Sequence, residues 1–370
     1  MIGPIYPWRG GIAHSNMLLC ENLSKKHVVK VLSFKRMFPS FLYPGKNQKE
    51  VSEKAIGLDV DYIIDSVNPL SWIKAFILIR KDKPDLLALQ WWTTFFVPSL
   101  FTISLLTRLF TKTKVSFVCQ NYLPHEKRFI DKFLTKLVLR TAHFLIALSK
   151  QDVDEIKSTI PNAKVEYLIE PTYEKIFAGR RMQKEEAKKM LALGSRVILF
   201  FGIVRPYKGL LYLLKAMPKV TEKLGDIKLL SVGEFWQNKE SYLEEIDKLG
   251  IRENVQVIDR YVSDNEAVLY LCAADVVVLP YISSSESGVI QLAYGLNTPI
   301  ITTNVGGNAD LIEDGRNGIL VPPGDSDSLA NAIILYFEYD KEDEFRQEME
   351  KRASMFSWDE EKENIFFHGM

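Results

Sequence analysis

The sequence predicts an α/β protein made of two doubly wound parallel sheets, and three observations carry that expectation. Short strand-like runs alternate with longer helical patterns along the whole chain, the signature of right-handed strand-helix-strand units. The runs are nearly all apolar rather than alternating, as in strands covered on both faces. At 370 residues the chain exceeds one ordinary core and suits two domains of roughly 100–200 residues each.

Taken in order, the first series of strands is placed at 28–33, 60–64, 85–89, 115–119, 143–148 and 165–169. A charged stretch over 173–195 then reads as a linker carrying one short amphipathic helix. A second series follows at 196–201, 227–232, 255–258, 275–279, 299–303 and 318–321. The expected organisation is therefore 1–172, the linker 173–195, a second domain over 196–355, and a C-terminal segment 356–370 that could cross back to the first domain. Ligands of such sheets bind outside the carboxyl ends of the strands, so chemistry is sought there.

Hydrophobic content of 47% with 25% charge excludes a largely disordered chain. Net charge is zero, yet residues 1–180 hold 26 Lys/Arg against 16 Asp/Glu and the remainder 21 against 31. A basic first half suits an anionic partner such as a phosphate-bearing or membrane-anchored acceptor; a charge match between the two halves would give the same asymmetry. A wholly basic protein would have pointed to nucleic acid, and this chain is not one. Cys20, Cys119 and Cys272 are too scattered for a disulfide framework or a zinc site, which agrees with a reducing cytoplasm. Gly3 and Pro4 interrupt the start before any apolar run, so no signal peptide is read there. The apolar stretch 95–110 is shorter than the ~20 residues a span needs and contains Pro98 and Arg108, so it is expected as a buried or surface-dipping helix. A helix over 128–143 sets Arg128, Lys132, Lys136 and Arg140 at four-residue steps, with Phe133, Leu134, Leu137 and Val138 on the other side. Both a solvated basic face and peripheral contact with an anionic membrane fit that pattern.

Four segments could carry chemistry. In 199–209, LFFGIVRPYKG, an apolar strand ends at Gly202, Arg205 and Lys208 follow, and Gly209 opens a helix. Strand end, cationic loop and helix N-terminus together make an anion site, because free N–H groups and two cations favour phosphate oxygens. A merely basic surface loop would share the composition, and the absence of Ser or Thr after Lys208 excludes a Walker loop. In 279–289, LPYISSSESGV, residues Ser287, Gly288 and Val289 would present N–H groups at a helix start, with Glu286 a carboxylate able to bind sugar hydroxyls. Simple capping is the alternative. Near the start, Gly10-Gly11 between a strand remnant and a helix would let backbone approach a ligand, or merely make a tight turn. In 119–126, CQNYLPHE, His125 and Glu126 lie on a loop after an apolar strand. Asp59/Asp61, Asp152/Asp154 and Asp325/Asp327 have the spacing of metal-holding triplets, but their positions at a strand start and at helix N-termini read as structural, so no metal is expected.

Together and in this order, these segments resemble family 4 glycosyltransferases of the GT-B fold, a retaining family that includes many polysaccharide and lipopolysaccharide enzymes. The resemblance rests on GPIYPWRGGIAH at 3–14, FFGIVRPYKGL at 200–210, VGEFW at 232–236, VVVLPY at 276–281, the run 287–325 and FSW at 356–358. It implies two Rossmann-like domains facing a central cleft, the acceptor bound by the first and the nucleotide sugar by the second. By resemblance, Arg205 and Lys208 bind the donor diphosphate, Gly10, Gly11 and Gly202 line the donor loops, and Ser287, Gly288 and Val289 offer backbone to sugar and phosphates. Tyr261 and Val262 would meet the base. Two departures stand out. The family's paired Glu falls on Ser284 or Ser285 and on Leu292 or Ala293, leaving Glu286 to serve the sugar, and the His after the fourth strand is Gln120, leaving His125 as the local imidazole. Similar chains also begin earlier, so that only Ile2 and Gly3 remain of a central strand; either the start is misassigned or the first sheet lacks much of one member.

The implied activity is metal-independent, retaining transfer of a hexose-type sugar from a nucleotide diphosphate donor to a sugar or lipid-linked acceptor, in cell-surface polysaccharide, lipopolysaccharide or glycolipid synthesis. No cofactor is implied. The expected place is the cytoplasm, with the inner face of the cytoplasmic membrane open. A GT-B-fold nucleotide-sugar epimerase and a degenerate, non-catalytic nucleotide-sugar binder are the alternatives.

Overall fold

A computed structural model describes residues 1–50, 57–124, 129–171, 180–194, 196–285 and 287–367. The chain divides into two compact units, Met1–Pro171 with Trp358–Met370, and Thr172–Ser357.

In the first unit the elements run α1 (Gly11–Leu23), β1 (Lys30–Arg36), β2 (Asp59–Asp65), α2 (Pro69–Asp82), β3 (Leu86–Trp91), α3 (Val97–Phe110), β4 (Lys114–Cys119), α4 (Asp131–Leu139), β5 (Phe144–Ala147), α5 (Lys150–Thr159) and β6 (Val165–Tyr167). All pairings are parallel, β1 with β2 and β3-β4-β5-β6 in order. Ile2 bridges Leu32 on one side and Leu89 on the other, so the short first segment joins the two sheets as a fragment of a central strand. Its backbone is fully used: Ile2 N–H donates to Ala88 O at 2.8 Å, and Ile2 O accepts from Gln90 N–H at 2.8 Å. Successive residues of the central strands point to opposite faces. Val115, Phe117 and Cys119 meet α2 to α5 in one core, while Val118, Phe144 and Ile146 pack on Leu19 and Leu23 of α1 and on Phe366. Phe366 follows a last short helix, α14 (Glu360–Ile365), so the chain's final described stretch belongs to the first unit, where Glu363 accepts from or pairs with His27 at 2.8 Å.

The second unit holds α6 (Lys184–Met190), β7 (Val197–Phe201), α7 (Leu210–Leu224), β8 (Lys228–Val232), α8 (Lys239–Lys248), β9 (Val255–Ile258), α9 (Asp264–Ala273), β10 (Val276–Leu279), α10 (Gly288–Leu296), β11 (Ile300–Thr303), α11 (Gly306–Leu311), β12 (Ile319–Val321), α12 (Ser326–Glu338) and α13 (Glu342–Arg352). The strand order is β12-β11-β10-β7-β8-β9, parallel throughout. The order reverses between β7 and β10. Connections leave those two neighbours in opposite directions, which opens a crevice beyond their carboxyl ends.

Two expectations need correction. The stretch 173–195 is not all linker: α6 places Lys184 and Lys188 on one helical face, and both reach Asp275, at 2.9 and 2.8 Å. Asp275 also accepts from Val197 N–H at 2.7 Å and Lys184 reaches Glu342 at 2.6 Å, so α6 is fastened to the second sheet's core. Residues 172–179 lie outside the described residues. The helix expected over 128–143 is the shorter α4, and its apolar side is split: Val138 is buried, whereas Phe133 is 66% and Leu137 38% exposed. Arg128 lies outside the described residues. The stretch 95–110 becomes a 3-10 turn, Thr94–Phe96, and α3, with Pro98 in the helix's first turn where its missing N–H costs nothing.

The acidic triplets behave structurally. Asp61 pairs with Lys30 at 3.3 Å in β2, Asp152 lies in the first turn of α5, and Asp325 caps α12 by accepting from Ser328 N–H at 2.9 Å.

Candidate functional site

The carboxyl ends of β7 and β10 bring together two of the segments singled out by sequence. After β7 the chain turns at Gly202 with φ of +105°, and a Cβ there would lie 3.2 Å from Lys208 Nζ and 3.6 Å from Val289 Cγ2. The cation, the glycine backbone and the start of α10 therefore share one small space. Arg205 precedes a single 3-10 turn, Pro206–Lys208, that ends on Gly209 at φ +71°. A Cβ on Gly209 would fall 1.8 Å from Pro280 O, so only glycine lets this turn lie against the end of β10. Tyr207 O accepts from Ile282 N–H at 2.7 Å, which fastens the two loops together.

Lys208 Nζ lies 5.2 Å from the Tyr281 ring centre, and among the described residues no carboxylate forms an ion pair with it. Burial holds its pKa below the ordinary lysine value, and the Arg205 charge adds to that effect. Tyr281 is buried and its hydroxyl is pushed up to about 12 by desolvation, so it stays neutral. Ser287 donates to Tyr281 Oη at 3.3 Å rather than capping α10, so among the described residues no side chain caps that helix start. The loop carrying Ser284 and Ser285 is seated on α11, where Gly307 N–H donates to Ser285 O at 2.7 Å. The Arg205 guanidinium lies 5.2 Å from the Tyr207 ring and 5.6 Å from the Trp236 ring. Flanking aromatics hold the fork in place without neutralising it.

Two adjacent cations against a helix N-terminus form an anion receptor. Lost hydration and the nearby Arg205 charge both weigh against the charged form of Lys208, and an entering dianion would relieve them. Such a cluster can hold phosphate oxygens and stabilise negative charge that grows there.

The remaining sequence candidates fall elsewhere. Tyr261 and Val262 follow β9, at the carboxyl edge of the same sheet but two strands from β7. Their loop is fixed by the Ser263–Glu266 capping box and by Arg260, whose hydrogen bond pulls the Glu266 carboxyl down to about 2. Gly10 caps the start of α1 with φ of +106°, and Gly11 is that helix's first residue; both belong to the first unit, with nothing within 4 Å of an added Cβ. His125 and Glu286 lie outside the described residues.

The first unit has a polar cluster at its own carboxyl edge. Gln120, directly after β4, donates to Ser15 Oγ at 2.8 Å, Gln90 Oε1 at 3.1 Å and Glu170 Oε1 at 3.2 Å. Ser15 donates to Glu170, and Gln90 donates to Asn16 Oδ1 at 3.1 Å. Burial raises the Glu170 pKa, opposed only by the Ser15 and Gln120 hydrogen bonds. Sequence reasoning missed Glu170, Tyr207 and Trp236 as site residues. The available signals were a carboxylate closing the apolar strand YLIEP, and aromatics inside the RPYKG and GEFW turns.

Fold and site together define a class: a Rossmann-like parallel sheet with cations gathered at its switch point. Residues 195–338 match the family described as Glycosyl transferases group 1. The uncharacterized glycosyltransferase MJ1607 of Methanocaldococcus jannaschii is 35% identical over 137 residues, which cover 37% of this chain and 34% of that protein. D-inositol 3-phosphate glycosyltransferase of Corynebacterium glutamicum is 28% identical over 214 residues, 56% of this chain and 49% of that one. The chain thus matches about a third to a half of the length of these relatives. Sucrose-phosphate synthase of Thermosynechococcus elongatus superposes over 97% of this chain and 92% of its own with a TM-score of 0.75 at 19% identity. HepE of Anabaena, solved in complex with UDP-glucose, gives 0.72 at 16% identity, covering 95% of this chain and 93% of its own. The fold is that of the GT-B glycosyltransferases.

Proposed function

We propose that the chain is a retaining, metal-independent glycosyltransferase that moves a hexose-type sugar from a nucleotide diphosphate to an acceptor hydroxyl. The observation that carries this reading is the pair Arg205 and Lys208 at the switch point, with Lys208 against Gly202 and the uncapped start of α10. As the sugar leaves, negative charge grows on the departing diphosphate; the two cations and the helix N–H groups stabilise it in place of a metal ion. The sugar then develops oxocarbenium character, and a diphosphate oxygen takes the acceptor's proton on the face from which it departs. The hydrogen-bonding cluster of Ser15, Gln90, Gln120 and Glu170 in the first unit suits the hydroxyl groups of a sugar or lipid-linked acceptor. Synthesis of cell-surface polysaccharide, lipopolysaccharide or glycolipid at the cytoplasmic side of the membrane agrees with this chemistry.

Donor turnover tests the reading. With a cognate donor and acceptor, Arg205→Ala and Lys208→Ala should each lower kcat/KM by roughly 100-fold or more, the scale of a lost charge stabiliser. Rates within a few fold of the parent would remove both residues from the mechanism.

A further inference from the structure

The first unit has an outer face that the transfer reading does not use. α2, α3 and α4 cover one side of its sheet as a continuous layer: Phe76 of α2 meets Phe110 of α3 with ring centres 6.3 Å apart, and Arg108 of α3 donates to Thr141 O and Ala142 O, beyond α4, at 2.9 and 2.6 Å. At 100° per residue, the buried positions of α2 are Ser71, Trp72, Ala75 and Ile79, and the opposite face carries Leu70, Ile73 and Ile77. Leu70 is 77% exposed and Ile77 57%. Leu109 and Phe110 close α3 exposed, and Phe133 and Leu137 stand on the outer side of α4. Single exposed apolar residues are ordinary, but side chains of this size recurring on three adjacent helices are not.

Charge decides what such a face would meet. Its solvent-facing ionic groups are cations: Lys74, Arg80 and Lys81 on α2, Arg108 on α3, Lys132 on α4 and Arg140 just after it are exposed. The three helices contain two acids, Asp82, which pairs with Lys30 at 3.2 Å, and Asp131, which is buried and accepts from Thr94 at 2.6 Å. A protein partner or a second copy would be expected to find charges of both signs around its rim. A surface that mixes bulky apolar side chains with lysine and arginine, and on which the described residues of the three helices leave no carboxylate unpaired, complements the headgroup region of an anionic bilayer. Among the described residues no helix is long and apolar enough to cross a membrane, so the contact would be interfacial.

We propose that the outer face of α2, α3 and α4 binds the surface of anionic lipid membranes, its apolar side chains entering the headgroup region while the flanking cations meet lipid phosphates. This stands independently of the transfer reading, since none of these residues belongs to the Arg205–Lys208 cluster or to the Ser15–Gln90–Gln120–Glu170 cluster.

Co-sedimentation of the full chain with vesicles of phosphatidylcholine, alone or mixed with phosphatidylglycerol, tests it. The parent should pellet with the mixed vesicles and remain in solution with phosphatidylcholine alone. Lys132→Gln with Arg140→Gln should weaken partitioning roughly 30-fold, from about 1 kcal/mol for each basic residue near the surface. Ile77→Glu with Phe133→Glu should abolish it. Both pairs replace solvent-facing side chains, and an unchanged Tm in each confirms that the fold is intact. Equal binding to both vesicle types, no binding by the parent, or full binding by either variant would overturn the proposal. So would a parent dimer in light scattering that Phe133→Glu splits while vesicle binding persists, because the face would then serve a second copy.

Discussion

The carboxyl edges of the two sheets are built alike and carry opposite chemistry. In the second unit, Arg205 and Lys208 gather beside glycine backbone and a helix start, and among the described residues Lys208 has no carboxylate beside it. In the first, Ser15, Gln90, Gln120 and Glu170 saturate one another, and no cation lies among them. One edge gathers cations and the other a mutually hydrogen-bonded set around one buried carboxyl. The same strand-helix-strand scaffold thus presents cations or a polar, hydrogen-bonded platform according to which few residues follow the strands.

Breaking the cationic edge should have the largest effect. Gly209→Ala puts a Cβ on top of Pro280 O and forces a left-handed residue away from its preferred backbone, so it should lower the second unit's stability by roughly 3 kcal/mol. It should also displace the turn holding Lys208; calorimetric unfolding and nucleotide binding measure the two losses. Next comes Lys208→Met, which separates function from stability. A lysine with a lowered folded pKa costs stability while both states are protonated, and folding stability rises as pH climbs from that lowered value towards the unfolded one of 10.5. The methionine variant should therefore melt on the order of 2 °C higher near neutral pH while losing diphosphate binding. A lower Tm would mean that Lys208 has a partner stabilising its charge.

The smallest effect should come from the first unit's edge. A raised Glu170 pKa means stability that is fully present below the unfolded value of 4.5 and lost as pH rises through the folded one. Glu170→Gln keeps an acceptor for Ser15 and Gln120 without that loss. Relative to the parent it should be neutral in acid and more stable by on the order of 1 kcal/mol above the raised pKa. Parallel pH–Tm curves would show that Glu170 titrates as it does in the unfolded chain.

Much of this was legible in the sequence because the strands are buried on both faces. An all-apolar run such as VILFF or VVVL has few other places to go, and each of the expected runs became a strand with its ends moved by three residues at most. The turn RPYKG was legible for the same reason: it follows such a strand and starts a helix. What escaped depended on distant partners. The charged pattern of α6 looks like solvent-exposed linker until Asp275, far along the chain, is seen to hold two of its lysines. Periodicity marks Phe133 and Leu137 as an inward stripe, yet the sheet takes Thr135, Val138 and Leu139 instead, since tertiary packing chooses which arc of a short helix is covered. Trp236 reaches Arg205 from the neighbouring strand, a pairing that local pattern does not encode.

The most direct test is a melting panel with ADP, GDP, UDP and their sugar conjugates on the parent and on the Arg205→Ala, Lys208→Ala double variant. At least one nucleotide should raise the parent's Tm, in proportion to the logarithm of its concentration above Kd, and leave the variant unmoved. A parent indifferent to all of them, or a double variant that shifts as far as the parent, would contradict the assignment of those two cations to a bound diphosphate.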